Sequence, residues 1–134
     1  MTGVQTCALP ISIKAADDNH EKGYVSRSEM KMIFNDDKKS FLLETPGGNK
    51  FLITEEDKKI HLEDQNGNKI TMNEDGIKIE SIKDIILKAK KDIKAEGVDI
   101  GIKGSGSTKV EGSSGAEVSS GGTTNVKGST VNIN

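Results

Sequence analysis

Val110, Val118 and Val126 stand eight residues apart in a tail otherwise made mostly of glycine, serine and threonine with a few charges. No other feature constrains the chain as much, because a helix repeats at about 3.6 residues and has no reason to repeat at eight. The series extends upstream: apolar residues fall at Ile77, Ile85 and Ile93 and, after a one-residue slip, at Ile102, Val110, Val118 and Val126. Two residues after each come Ile79, Leu87 and Ala95, then Gly104, Gly112, Ser120 and Gly128. Residues i and i+2 share a strand face. Each octad therefore presents one branched aliphatic and, in the later half, one nearly absent side chain on the same side. A flexible Gly/Ser linker has this composition, but it has no use for a valine kept in phase. A repeat of strand and corner does.

Upstream of the octads the pattern changes to short alternating runs with a turn signal about every ten residues. The runs are Met30-x-Met32-x-Phe34, Phe41 to Leu43, Phe51 to Ile53, Ile60 to Leu62, Ile70 to Met72 and Ile77 to Ile79. Gly47-Gly48, Asn66-Gly67 and Asp75-Gly76 lie between them and supply the positive φ of tight turns. This stretch is expected to form an antiparallel meander. The following Lys83 to Ile93 is rich in Lys, Ala, Leu and Ile, as a helix would be. Yet Lys-Asp-Ile recurs at Lys83 and Lys91, which favours strand over helix.

Composition limits what such strands can bury. The chain of 134 residues has no Trp, one Tyr and three Phe, so a compact monomer would have to be filled by aliphatics alone. The net charge of -2, with 30 % charged residues of both signs, indicates neither a nucleic-acid footprint nor a basic membrane patch. At the N-terminus, TGVQTCALPI at positions 2–11 resembles the translation of a sequencing-library adapter. It lacks the basic leader of a signal peptide, and its apolar run is short and broken by Pro10. Residues 1–11 are therefore set aside as artefactual. The natural protein is expected to begin upstream of Ser12, and the only cysteine, Cys7, falls in the excluded segment, so disulfide, thiol and cysteine-metal chemistry drop out.

A strand that buries one or two aliphatics per octad leaves its edges unpaired. Burying one such side chain stabilises by roughly 1.5 to 3 kcal/mol, whereas ordering each residue costs about 1 to 2 kcal/mol of backbone entropy. Two architectures address this: a single-chain parallel β-helix, or identical strands from several copies wound around one axis. The area available per coil favours the second.

Val110-Glu111-Gly112, Val118-Ser119-Ser120 and Val126-Lys127-Gly128, preceded by Ile102-Lys103-Gly104, resemble the Val-x-Gly octads of the valine-glycine repeat (VgrG) spikes of type VI secretion systems and of phage baseplate central spikes. Gly23-Tyr24-Val25-Ser26-Arg27-Ser28, Ile33 to Asp37, Asp75 to Ile79 and the ending Lys127 to Asn134 are similar to that family as well. Ser26, Glu29-Met30 and Ser120 depart from its usual Thr, Gly-His and Gly. The resemblance implies an all-β fold, with a meander leading into a trimeric, intertwined β-prism. The domains would be 12–27, the end of an OB-like domain and linker; 28–81, the meander at the needle base; and 82–134, the octad spike. Ile77, Ile79, Ile85, Leu87, Ile93, Ile102, Val110, Val118 and Val126 would form the trimer core. Gly104, Gly112 and Gly128 would serve corners and close backbone approach.

The function so implied is a structural, membrane-puncturing spike of a contractile injection apparatus, assembled in the cytoplasm and expelled without a signal peptide. Its partners would be two further copies, a tip-capping PAAR-type protein, effectors, the target-cell membrane and, through upstream modules, the Hcp tube and baseplate. Nucleic acid is not expected. A phage tail spike and a trimeric adhesin or tail-fibre stalk are the alternatives. Enzymatic chemistry is not expected, and neither are catalytic residues, metal ligands or cofactors. His20 sits in a polar stretch, and His61 alternates with Ile60 and Leu62 and should face away from the core into solvent. The carboxylates lie in turns beside lysines, and Gly47-Gly48 and Gly121-Gly122 match no phosphate loop.

Overall fold

The computed structural model describes Ile11–Ser12 and residues 18–133, which contain β-strands and no helix. Residues 2–10 of the adapter-like segment lie outside the described residues. The chain divides into two units, Met1–Leu87 and Lys88–Asn134.

The first unit holds one sheet in which sequence neighbours pair throughout: β1 (Ile11–Ser12), β2 (Glu21–Val25), β3 (Lys31–Asn35), β4 (Ser40–Glu44), β5 (Lys50–Thr54), β6 (Lys59–Glu63), β7 (Lys69–Asn73) and β8 (Gly76–Glu80). All pairs are antiparallel. The six alternating runs of the sequence fall on β3 to β8, with Met30 of the first run just ahead of β3. The sheet also reaches further upstream, because β2 pairs with β3 over its whole length and the backbone of Ile11 faces Val25.

Alternation in sequence becomes two unlike faces in the sheet. One carries two apolar cross-strand rows: Met32, Leu43, Phe51, Leu62, Ile70 and Ile79, and beside it Phe34, Phe41, Ile53, Ile60, Met72 and Ile77. Phe34 and Phe41 pack with their rings tilted by 36° and centroids 4.8 Å apart, a distance at which aromatic pairs attract. The other face carries Ile33, Leu42 and Leu52, and its central row then turns polar at His61, Thr71 and Lys78. Alongside runs a ladder of alternating sign, Lys31, Glu44, Lys50, Glu63, Lys69 and Glu80. Opposite charges directly across antiparallel strands favour the observed register.

The sheet also contains a longer repeat. Lys31–Asn49 and Lys50–Asn68 align without gaps, sharing Lys31/Lys50, Lys39/Lys58, Leu43/Leu62, Glu44/Glu63, Gly48/Gly67 and Asn49/Asn68. Each copy is one β-hairpin plus the turn to the next. The backbone repeats as well: Lys39 and Lys58 have φ of 47 and 46°, and Gly48 and Gly67 have 95 and 89°. The turns at each end are tied to one another, by Gln65 N–H donating to Asn49 Oδ1 (3.2 Å) at one end and Glu55 N–H donating to Lys39 O (3.3 Å) at the other.

Among the described residues from Ser81 onward none is paired in a strand, so the strand expected over Lys83 to Ile93 is not formed within the chain, and neither is a helix. The backbone makes no hydrogen bond to backbone within 82–133, so the coil-to-coil ladder of a single-chain β-helix is absent among the described residues. Bends fall at 82–83, 90–91, Val98, 105–106, 113–114, 121–122 and Ser129. Between them lie six-residue runs without a bend: 84–89, 92–97, 99–104, 107–112, 115–120 and 123–128, with 130–133 beginning a seventh.

A repeating frame as the candidate functional site

Numbering each run from one to six places the predicted core residues. Position four is apolar in every run: Leu87, Ala95, Ile102, Val110, Val118, Val126 and Ile133. Position two holds Ile85, Ile93 and Ile100, then Thr108, Ala116, Thr124 and Val131. Position six holds Ala89, Gly97, Gly104, Gly112, Ser120 and Gly128. Positions one, three and five are polar or glycine apart from Ile86. In a straight strand-like run the even positions share a side, so the repeat has one apolar edge and one polar edge. Ile77 and Ile79 lie outside this frame, in the apolar rows of the sheet.

This frame corrects the one-residue slip. Ile85 and Ile93 occupy position two, whereas Ile102, Val110, Val118 and Val126 occupy position four, so the series crosses from one column to the next. The irregular step comes from a corner of one residue, Val98, where the neighbouring corners have two. Ile100 thereby joins Ile85 and Ile93. The signal was present in the sequence, since the Asp-Ile of Asp84-Ile85 and Asp92-Ile93 returns as Asp99-Ile100.

Why position six is small follows from the corner. A Cβ on Gly97 would stand 3.4 Å from Asp99 O, on Gly104 2.9 Å from Ser107 O, and on Gly128 3.1 Å from Thr130 O, while on Gly112 it would collide with Gly115 O. Each of those carbonyls belongs to position one of the next run. The corner thus folds that carbonyl over the space where a side chain would begin. At Ser120, where a side chain is present, the corner is Gly121-Gly122, and Gly122 N–H donates to Ser120 Oγ at 3.1 Å.

Among the described residues nothing covers the apolar edge. Ile102, Val110, Val118 and Val126 are 77, 75, 83 and 71 % exposed, and no apolar side chain among the described residues is buried. The accessible surface of 12709 Å² compares with about 6,800 Å² for a folded monomer of this mass. In the first unit the row Leu43, Phe51, Leu62, Ile70 and Ile79 lines an open groove of about 760 Å³ that Ile85 also borders.

Polar order is concentrated at one end of the sheet. Asp64 accepts from Asn66 N–H (2.8 Å), Asn66 Nδ2 (3.1 Å), Asn68 N–H (2.9 Å) and Asn68 Nδ2 (2.8 Å). Hydrogen bonds from Asn68 above all, then Asn66, hold its carboxyl at about 2 against an ordinary 3.8. Glu63 is also lowered, by hydrogen bonds from Lys69 and then His61. His61 points away from Ile60 and Leu62, but it is not solvated: its side chain is 17 % exposed and its ring meets Thr71 Oγ1 at 2.9 Å and Glu63 Oε2 at 3.3 Å. His20 is exposed. No group of three His, Cys, Asp or Glu side chains converges to hold a metal among the described residues. No helix there is long and apolar enough to cross a membrane.

Together these features define an all-β chain in which an antiparallel meander precedes a corner repeat with an uncovered apolar edge. No protein-family model and no curated protein matches the chain.

Proposed function

We propose that three copies of this chain wind their repeats into one β-prism needle, the piercing spike of a contractile injection apparatus of the VgrG or phage-baseplate kind. The observation that carries this reading is the repeat itself: unpaired runs of six residues without a bend, with an exposed apolar residue kept at position four through every corner. A free edge of N–H and C=O groups and a free apolar edge are complementary to further copies of themselves, because a strand from each neighbour supplies the missing ladder while the aliphatics meet at the axis. Such a rod is held along its whole length by backbone bonds between chains. That resists local opening, the property a driven tip requires.

In this reading the polar positions one, three and five of the repeat form the outer wall. A tip-capping PAAR-type protein, carried effectors and, through other modules, a tube and baseplate are its partners. The test is the solution mass by size-exclusion chromatography with light scattering. The expected value is three times the chain mass of 14.3 kDa. Val118→Asp, which places three carboxylates near one axis, is expected to abolish that species. A monomer whose repeat amides exchange freely, or a Val118→Asp chain that stays trimeric and equally stable, overturns the proposal.

A further inference from the structure

A repeat whose even positions point one way is sensitive to frame, since a shift of one residue carries every aliphatic to the opposite side. The first corner therefore has to be placed, and it is the corner that the sheet touches. Asn68, in the turn between β6 and β7, accepts a hydrogen bond on Oδ1 from Ser81 Oγ at 2.8 Å. The same Ser81 oxygen accepts Lys83 N–H at 3.2 Å, and Lys83 is the second residue of the corner. Ile82 closes the contact: its Cγ2 lies 3.7 Å from the point where a Cβ on Gly67 would sit. Asn68 is itself held, because its backbone N–H and its Nδ2 both donate to Asp64. The aligned position in the preceding hairpin, Asn49, receives Gln65 N–H instead. One turn of the hairpin repeat thus grips the next, and the last grips the corner.

We propose that Asn68 and Ser81 form a register latch, through which the β6–β7 turn fixes the first corner at Ile82–Lys83 and sets the frame of the repeat that follows. The latch lies within one chain, so it stands apart from the needle reading and survives a monomeric result. It also predicts that the two residues act as a unit, because Ser81 reaches Lys83 with the right geometry only while Asn68 holds its hydroxyl.

The test is hydrogen exchange, read residue by residue by NMR, on the full chain and on Asn68→Ala, Ser81→Ala and the double variant. Each single change is expected to speed exchange at Lys83 about tenfold, the scale of one hydrogen bond and its associated order. The double variant should be no faster than either single one, β3 to β5 should be unaltered, and Ser81→Thr should restore the slow rate. Unchanged exchange at Lys83, a double effect equal to the product of the singles, or equal loss throughout β3 to β5 overturns the latch.

Discussion

Gly112 has no room for a side chain within its own chain, since an added Cβ runs into the carbonyl of Gly115 across the corner. Gly106, in a corner itself, has nothing within 4 Å of the same point. Gly112→Ala is therefore expected to destabilise by about 2 kcal/mol or more per chain and Gly106→Ala to be near neutral, as measured by urea unfolding. A second residue-scale consequence comes from Asp64. Its folded carboxyl binds a proton less readily than the unfolded chain does, because the acidic limit near 2 lies below the ordinary 3.8. The stabilisation is complete above the ordinary value and disappears as pH falls through about 2. Glu63 is shifted the same way. The difference in unfolding midpoint between the wild type and Asp64→Ala should accordingly shrink steadily between about pH 5 and about pH 2.

Among elements, the strands were the most legible in sequence. Alternation around Phe34, Phe41, Phe51, Ile60, Ile70 and Ile77 marks β3 to β8, since residues two apart share a face and alternation gives a strand one apolar side. The hairpin repeat was harder to see, because it is carried by turn backbone: Lys39 and Lys58 share a positive φ that no hydropathy pattern reports. The octad columns were only partly legible. Valines at eight-residue steps declared a repeat, but the shortened corner at Val98 moved the series from position two to position four. Corner geometry also explains the glycines of position six, which counting alone assigns only to a small-residue column. The frame makes a sharp distinction at Ile86 and Leu87, neighbours of equal hydrophobicity on opposite sides. In the proposed assembly, where position four meets the other copies, Leu87→Lys is expected to cost on the order of 3 kcal/mol or more per chain, as an uncompensated buried charge does, and to abolish the assembled species in light scattering. Ile86→Lys should leave that species intact.

At the scale of the molecule, the assembly proposed above would cover aliphatics that the single chain leaves exposed, and mass action would then enter every melting curve. The thermal midpoint is expected to rise with chain concentration over about a hundredfold range, followed by circular dichroism; a midpoint independent of concentration would count against obligate association. The two units also divide the task, since the meander satisfies its own backbone within one chain and the repeat does not. Val98, finally, shows where such an array tolerates gain or loss of length. A residue removed at a vertex leaves the six-residue runs on either side intact, whereas a residue removed within a run would turn the remainder of that run to the opposite side. Over evolutionary time, insertions and deletions in proteins built this way should collect at the vertices, and the needle proposed above should lengthen or shorten by whole storeys.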